Sequence, residues 1–241
     1  MKFLPLLRAN LARHKWRTLL TMASVALALF LFASLRTVIT AIQGTAEFGS
    51  ASRLVSTNST GFILPLPVAY ANRIAAMQGV QRVTWANWFG GKYGDNTRFF
   101  GQFAVDAESY LDLYPEMAVT PEHRSAFLQD RAGALIGSRL QEIFGWRVGQ
   151  TITLQGTIFP GDWQFNISGI YTPTDPAIND DMMLFHWQYL DETIGRPGIA
   201  GWYILQIADV NAAAQVAKTV DDQFRNSSAP TKTGTDTRAA R

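Results

Sequence analysis

The chain has 241 residues, of which 47% are hydrophobic and 17% are charged, and this balance excludes an intrinsically disordered protein. It contains no cysteine, so disulfide bonds and thiolate metal sites are excluded. Five basic residues and no acidic residue fall within residues 1–17, and the remaining chain carries 16 basic against 19 acidic residues.

An apolar segment follows this basic flank. Residues 18–35 hold no charged side chain, and at about 1.5 Å per residue they span roughly 27 Å as a helix, close to a hydrocarbon core of about 30 Å. We therefore predict a transmembrane helix with its stalk over residues 18–42. The alternative is a cleaved signal peptide, whose apolar stretch is about 7 to 15 residues. The run here is longer, which favours an uncleaved helix.

The distribution of basic residues predicts the orientation of this helix. Positive charge is retained in the cytoplasm, so residues 1–17 form a cytoplasmic flank beside anionic lipid, and the bulk of the chain is extracytoplasmic. Nothing in this charge pattern favours nucleic acid as a partner. Arg36 can extend its guanidinium to the interface, and the helical pattern continues through Ile39 to Gly44. We interpret these three residues as a rigid coupling stalk.

Residues 43–225 alternate short strand and helix patterns, which predicts an α+β extracytoplasmic domain. Helices are predicted at 67–77, at 121–130 with Thr120 as N-cap, at 139–144 with Ser138 as N-cap, and after Asp209. Strands are predicted at 53–57, 80–89, 97–105, 134–136, 149–154, 163–171, 182–185 and 202–207, with 80–89 and 97–105 forming a hairpin. Residues 226–241 have almost no large apolar side chain and are predicted to be a flexible tail.

Four stretches in this order resemble the MacB/FtsX-like permeases of ABC transporters. Residues 10–21 are similar to the basic entry to the first membrane helix, and residues 79–83 to a helix-to-strand step. Residues 136–154 are similar to a GxxL step followed by GxxVGxxIxL, and residues 165–171 to a VxGIF strand. The resemblance covers about residues 8 to 225.

The resemblance implies a permease with four membrane helices and its large extracytoplasmic domain between the first and second. The chain ends about where the second helix is expected, so we expect it to be truncated. The implied partners are a cytoplasmic ABC ATPase, membrane lipid, a second permease, and a periplasmic adaptor or exported substrate. The alternative is a single-span membrane-anchored binding or sensor module, which an in-frame stop after Arg241 would favour.

The sequence contains no motif typical of a catalytic or cofactor-binding site, so we predict neither an enzyme nor a cofactor. A phosphate-binding loop GxxxxGK[ST] is absent, so nucleotide hydrolysis must come from another chain. Asp175, Asp180, Asp181 and His186 fit no known ligand spacing, and we interpret them as a solvated acidic loop. The Gly-Ser-Arg at 137–139 lacks the closing glycine of a nucleophile elbow.

Aromatic residues are dense between positions 85 and 103. Strand alternation cannot bury all of them on one face, so some are expected to form a contact surface for an apolar ligand or partner. The alternative is a sheet covered on both faces, which would bury them. The candidate contact residues are Trp85, Trp88, Phe89 and Tyr93.

Overall fold

The computed structural model describes residues 15–44, 52–94, 98–176 and 178–235, with side chains in the first range described as far as Arg36. The chain divides into two compact units, Met1–Glu47 and Phe48–Arg241. This boundary lies five residues beyond the predicted one at residue 42. Most of the predicted basic flank, residues 1–14, lies outside the described residues.

The first unit contains helix α1, Lys15–Gly44, which includes the predicted span and continues without a break through the predicted stalk. Its segment Lys15–Arg36 has a mean hydropathy of 2.1 and is long and apolar enough to cross a membrane. The hydroxyls of Thr21 and Ser24 donate to backbone oxygens of the preceding turn, both at 2.9 Å. Because these hydroxyls bond within the helix, they need no water.

The second unit is built from short helices and one large sheet. The remaining helices are α2 (Tyr70–Ala75), α3 (Ala107–Leu113), α4 (Pro121–Gln129), α5 (Ser138–Phe144), α6 (Trp187–Thr193) and α7 (Ala213–Phe224), with a 3₁₀ turn at Val210–Ala212. The strands are β1 (Arg53–Asn58), β2 (Leu66–Pro67), β3 (Val80–Trp88), β4 (Gly91–Lys92), β5 (Gly101–Val105), β6 (Met117–Val119), β7 (Gly133–Gly137), β8 (Thr151–Gly156), β9 (Gly161–Pro173), β10 (Met182–His186), β11 (Ile199–Ala200), β12 (Trp202–Ile207) and β13 (Thr231–Thr235).

The main sheet has the strand order β13-β1-β12-β3-β5-β10-β7-β9-β8-β4, and β6 pairs with β9 beside this path. The pairs β5–β10 and β7–β9 are parallel, and the other pairs are antiparallel. Strands β2 and β11 form a separate two-stranded sheet. The domain is therefore a mixed sheet with helices, as the α+β prediction states.

Part of this sheet closes on itself. Strand β4 follows β3 after two residues yet pairs with β8, so the path from β3 through β5, β10, β7, β9 and β8 returns to its start. The backbone N–H of Thr157 donates to the carbonyl of Gly90 at 3.0 Å across the closure. The Gln102 side chain on β5 bonds both the N–H and the carbonyl of Gly91. These bonds hold β3, β4 and β5 together at one point.

Three groups of buried side chains form the core. One fills the closed part of the sheet and includes Phe89, Trp163, Phe165 and Phe185. A second lies under α3 and α4. A third lies under α2 and α7, where Val216, Val220 and Phe224 recur at helical spacing on one face. Every residue of β1 is buried, as expected for a strand covered on both faces.

The pairing of β1 with β13 defines two ends of the sheet. Strands β1 and β13 are antiparallel, so Leu54 faces Thr235 at one end and Asn58 faces Thr231 at the other. We call the end with Leu54 and Thr235 the entry end, because the chain arriving from α1 enters the sheet there. We call the end with Asn58 and Thr231 the far end.

Several predicted elements are confirmed with small shifts of their bounds. Strands β3 and β5 pair antiparallel as the predicted hairpin, and the Thr120 side chain accepts from the backbone N–H of His123 as an N-cap. The Asp209 side chain likewise accepts from the N–H of Asn211.

The prediction of Ser138 as an N-cap is wrong. Helix α5 begins at Ser138, and Gly137 precedes it in an extended conformation without a side-chain cap. A Cβ at Gly137 would lie 2.0 Å from the carbonyl oxygen of Asp180, so only glycine allows this approach.

The predicted flexible tail is wrong for residues 231–235, which form β13. Its Thr233 N–H and hydroxyl donate to the carboxylate of Asp221 at 3.0 and 2.7 Å, and the Thr231 hydroxyl donates to it at 3.0 Å. A strand without large apolar residues is thus held by α7 and β1 through hydrogen bonds. Residues 236–241 lie outside the described residues.

Candidate contact surface

The predicted contact residues separate onto two faces of the sheet. Phe89 has an exposed fraction of 0% and its ring packs edge-on against Trp163 at 5.1 Å and Phe185 at 5.3 Å. It lies where the chain passes from β3 to β4, so its ring fills the closed part of the sheet. The prediction that Phe89 contributes to an exposed surface is therefore wrong, and the alternative of burial holds there.

Two further candidates pack against the same group of buried side chains. Trp85 meets Trp187 edge-on at 5.7 Å, and its buried indole N–H has no hydrogen-bond partner among the residues that the structure describes. Tyr93 packs edge-on against Trp146 at 4.9 Å and is partly buried. Trp88 alone among the four candidates reaches the opposite face, because it is offset from Trp85 by an odd number of residues along β3.

Trp88 belongs to a chain of aromatic contacts that we call the aromatic strip. Its ring meets Phe103, its cross-strand neighbour on β5, at 5.1 Å, and stacks on Phe99 at 5.5 Å. Phe103 meets Trp202 on β12 at 5.8 Å, and Trp202 stacks on Phe62 at 5.8 Å. The aromatic strip therefore consists of Phe62, Trp88, Phe99, Phe103 and Trp202, all at the far end.

The loop after β1 extends this surface. Ile63 has an exposed fraction of 95%, and its neighbours Phe62 and Leu64 are also exposed. The loop has a defined geometry, because the Leu64 N–H donates to Gly61 at 3.1 Å and the Thr60 N–H donates to the Asn58 side chain at 2.9 Å. An ordered loop thus presents three consecutive apolar side chains to solvent.

The aromatic strip is the uncovered continuation of a core. Phe103 and Trp202 pack at the margin of the buried group under α3 and α4, whereas Phe99 has an exposed fraction of 74%. Exposed aromatic clusters of this kind are typical of protein interaction sites. Phe62, Ile63 and Trp202 were not among the predicted contact residues, although the apolar run between Gly61 and Pro65 was a visible signal.

The acidic loop does not come together as a site. His186 has an exposed fraction of 6%, and its Nε2 lies 2.6 Å from the carbonyl oxygen of Phe127. Burial lowers the pKa of His186, and the nearby Arg131 lowers it further. Within the described residues, no three His, Asp or Glu side chains are placed to hold a metal ion. His186 therefore serves the packing of β10 against α4.

Residues 18–223 match the family described as the MacB-like periplasmic core domain. This match includes most of α1, the whole sheet except β13, and almost all of α7. The chain belongs to the MacB-like periplasmic core domain family. It is thus the periplasmic core domain of a permease from the ABC transporter class, joined to a candidate membrane helix. Members of this class are transporter components.

Two solved structures share the fold of the MacB-like domain. The periplasmic region of MacB from Actinobacillus actinomycetemcomitans is 12% identical with a TM-score of 0.55, and the match covers 78% of this chain and 91% of that one. The extracellular domain of the noncanonic ABC-type transporter YknZ from Gram-positive bacteria is 10% identical with a TM-score of 0.53, and the match covers 76% and 99%. No curated protein sequence matches the chain.

Proposed function

We propose that this chain is the permease subunit, or the amino-terminal part of one, in an ABC transporter of the MacB/FtsX type. ATP hydrolysis by a partner ATPase in the cytoplasm moves α1, and this motion drives the extracytoplasmic domain to export or release a substrate. The family match over residues 18–223 carries the proposal, because one family model spans both the candidate membrane helix and the sheet domain.

The division of labour follows from the sequence. The chain has no GxxxxGK[ST] loop, so the nucleotide must be bound and hydrolysed elsewhere. The basic residues before α1 favour a cytoplasmic amino terminus in the inner membrane. A complete transporter of this class would contain two permeases, so this chain is expected to work as a dimer.

The entry end is suited to receiving motion from α1. Strand β1 is hydrogen-bonded on both sides, to β13 and to β12, and the N–H of Ile207 donates to the carbonyl of Ser52 at 2.8 Å. A strand bonded on both sides cannot move without its neighbours. Motion of α1 would therefore reach three strands together.

The aromatic strip and the loop tip of Phe62, Ile63 and Leu64 are proposed as the contact surface for an extracytoplasmic adaptor or exported substrate. A photo-crosslinking residue at position 63 should form covalent adducts in cells, and one at the exposed Thr153 of β8 should not. Equal labelling at both positions would remove the support for this surface.

The first experiment tests topology and dependence on the ATPase. Single cysteines replacing Asn10 and Thr153 can be labelled without background, since the chain has no cysteine. An impermeant maleimide should reach position 153 and not position 10 in intact cells. The purified chain should not hydrolyse ATP alone, and its complex with the cognate ATPase should. The opposite labelling, or turnover by the chain alone, would contradict the proposal.

The second experiment tests the stalk. Proline within a helix removes a hydrogen bond and clashes with the preceding turn, at about 3 kcal/mol or more, so Ile39→Pro should hinge α1. We expect complex assembly and ATP hydrolysis to persist while the extracytoplasmic output is abolished, and Ile39→Leu should behave as wild type. Normal output from Ile39→Pro would refute a rigid stalk.

A single-span binding or sensor module is the second candidate, and the exposed aromatic strip favours it. Such a module would use the same contact surface without an ATPase. Failure of every ABC ATPase to co-purify, together with adducts at position 63, would favour this candidate over the permease.

A further inference from the structure

Arg53 is a buried charge at the point where the chain enters the sheet. It is the first residue of β1 and has an exposed fraction of 5%. Its guanidinium forms an ion pair with Glu116 and lies over the Tyr114 ring, with its central carbon 4.4 Å from the ring centroid. Buried ion pairs are often no more stabilising than apolar residues of similar volume. Stability alone therefore does not account for this pair.

The partner of Arg53 belongs to a distant part of the sheet. Glu116 lies between α3 and β6, and its carbonyl oxygen accepts from the Thr174 N–H at 2.8 Å and the Thr174 hydroxyl at 3.1 Å. Thr174 directly follows β9, and β6 itself pairs with β9. In the strand order, β12, β3, β5, β10 and β7 all lie between β1 and β9. The ion pair therefore connects two strands that are not neighbours in the hydrogen-bond ladder.

This connection is directional. An Arg–carboxylate pair holds its partners at a fixed distance and orientation, whereas apolar contacts allow sliding. Burial beside Tyr114 removes water, which strengthens the attraction. A displacement of β1 along its own axis would thus pull on Glu116 and, through Thr174, on the end of β9.

We infer that the Arg53–Glu116 ion pair is the contact that passes displacement of β1 directly to β6 and β9. This inference rests on the proposed permease function. It assigns a positioning role to two residues, and it divides the sheet into an entry half, which moves with α1, and a second half, which follows through this pair.

The test uses the whole permease with its cognate ATPase in lipid nanodiscs. Hydrogen–deuterium exchange is measured for peptides of β1 and β9, without nucleotide and after trapping with ATP and vanadate. In the wild type, nucleotide should change the exchange of both strands. With Arg53→Cys and Glu116→Cys combined, the response should persist in β1 and fall at least fivefold in β9, with an ATPase rate within twofold of wild type.

Bridging the two thiols supplies the decisive measurement. The Glu116 side chain is 26% exposed, so a small bis-methanethiosulfonate can reach a thiol at this position. Complete bridging, verified by mass, should restore the β9 response, and reduction should remove it again. Glu116→Gln keeps the side-chain shape and serves as a second variant in case the double variant does not fold. It should lower the β9 exchange response two- to threefold.

The matched control is the exposed pair of Arg124 and Asp112, whose atoms lie 2.6 Å apart between α4 and α3. Combined Arg124→Gln and Asp112→Asn should leave both responses unchanged. A β9 response within twofold of wild type in the reduced cysteine variant, or no recovery on bridging, would overturn the inference. No nucleotide response anywhere in the wild-type domain would instead overturn the proposed function, and the inference with it.

Discussion

The entry end and the far end of the sheet carry different types of side chain. At the entry end, the guanidinium of Arg53 is withdrawn from water and forms an ion pair with Glu116. At the far end, Phe62, Ile63 and Phe99 are exposed and make ring or apolar contacts. Directional bonds fix relative positions, whereas exposed apolar area is available to a partner. The two ends therefore differ: a directional ion pair fixes one, and the other leaves apolar side chains exposed.

The largest expected effect tests whether the far end has one binding face. Phe89→Ala removes a ring from the closed part of the sheet and should lower the free energy of unfolding by about 3–5 kcal/mol. Phe99→Ala, a matched control on the open face, should change it by less than about 0.5 kcal/mol. Chemical denaturation of both variants measures the difference. Equal losses would mean that the aromatic strip is also core.

The next effect concerns the polar bonds between α7 and β13. Asp221→Asn keeps the shape of the side chain but places an amide donor against the donors of Thr231 and Thr233. We therefore expect the free energy of unfolding to fall by about 1–3 kcal/mol. Exchange of the β13 amides should rise more than that of β12. Asp222→Asn is the matched control, since Asp222 pairs only with exposed Lys218 and Arg225 within the described residues.

Asp222→Asn should leave the free energy of unfolding unchanged, because exposed ion pairs contribute little to stability. Unchanged β13 exchange in Asp221→Asn would show that β1 alone holds the last strand. The position of β13 would then depend on its backbone hydrogen bonds to β1 rather than on the Asp221 side chain.

A smaller effect is expected from pH. It concerns His186, the buried last residue of β10, which pairs with Val105 on β5. Burial and Arg131 lower its pKa, against opposing effects of Asp130 and Asp106. A His with a lowered folded-state pKa contributes stability that is complete above the unfolded value of about 6.5 and is lost as the pH falls below it.

The melting temperature should therefore fall between pH 7.5 and 5.5, by the equivalent of at most about 1.4 kcal/mol. His186→Gln retains a donor for the Phe127 carbonyl and should flatten this pH dependence. An equally steep profile in the Gln variant would assign the effect to other groups.

The smallest effect is expected at the loop tip. Ile63→Ser should change the melting temperature by the equivalent of less than about 0.5 kcal/mol, because the side chain is 95% exposed. The same substitution should abolish adducts formed from a photo-crosslinking residue at position 62. Adducts that persist would shift the contact surface away from this loop.

Local signals in the sequence were sufficient for most elements. The alternating residues of β3 and the Thr120-Pro121 start of α4 predict those elements correctly, because burial and capping act over a few residues. The fold class followed from the order of such patterns, and the family from the resemblance of four sequence stretches to known permeases. Helices α3 and α6, each seven residues long, were missed.

Long-range pairing was beyond these signals. Nothing local predicts that β13, with its Thr-Lys-Thr-Gly-Thr sequence, is held by Asp221 or that Phe89 turns into a closed sheet. The density of aromatic residues indicated a contact surface but not which residues belong to it. Which face of β3 and β5 is covered depends on the closure of the sheet at Gly90 and Gly91. Only Trp88 of the four candidates lies in the aromatic strip.

The pairing of β1 has a consequence for biosynthesis. Both of its neighbours in the sheet, β12 and β13, come from residues 202–235, so the first strand to leave the membrane helix must wait for the last strands of the domain. Contacts this far apart in sequence form slowly, and unpaired strands are prone to aggregate. The segment at residues 53–58 therefore stays without its partner strands in the nascent chain until residues 202–235 have been synthesised.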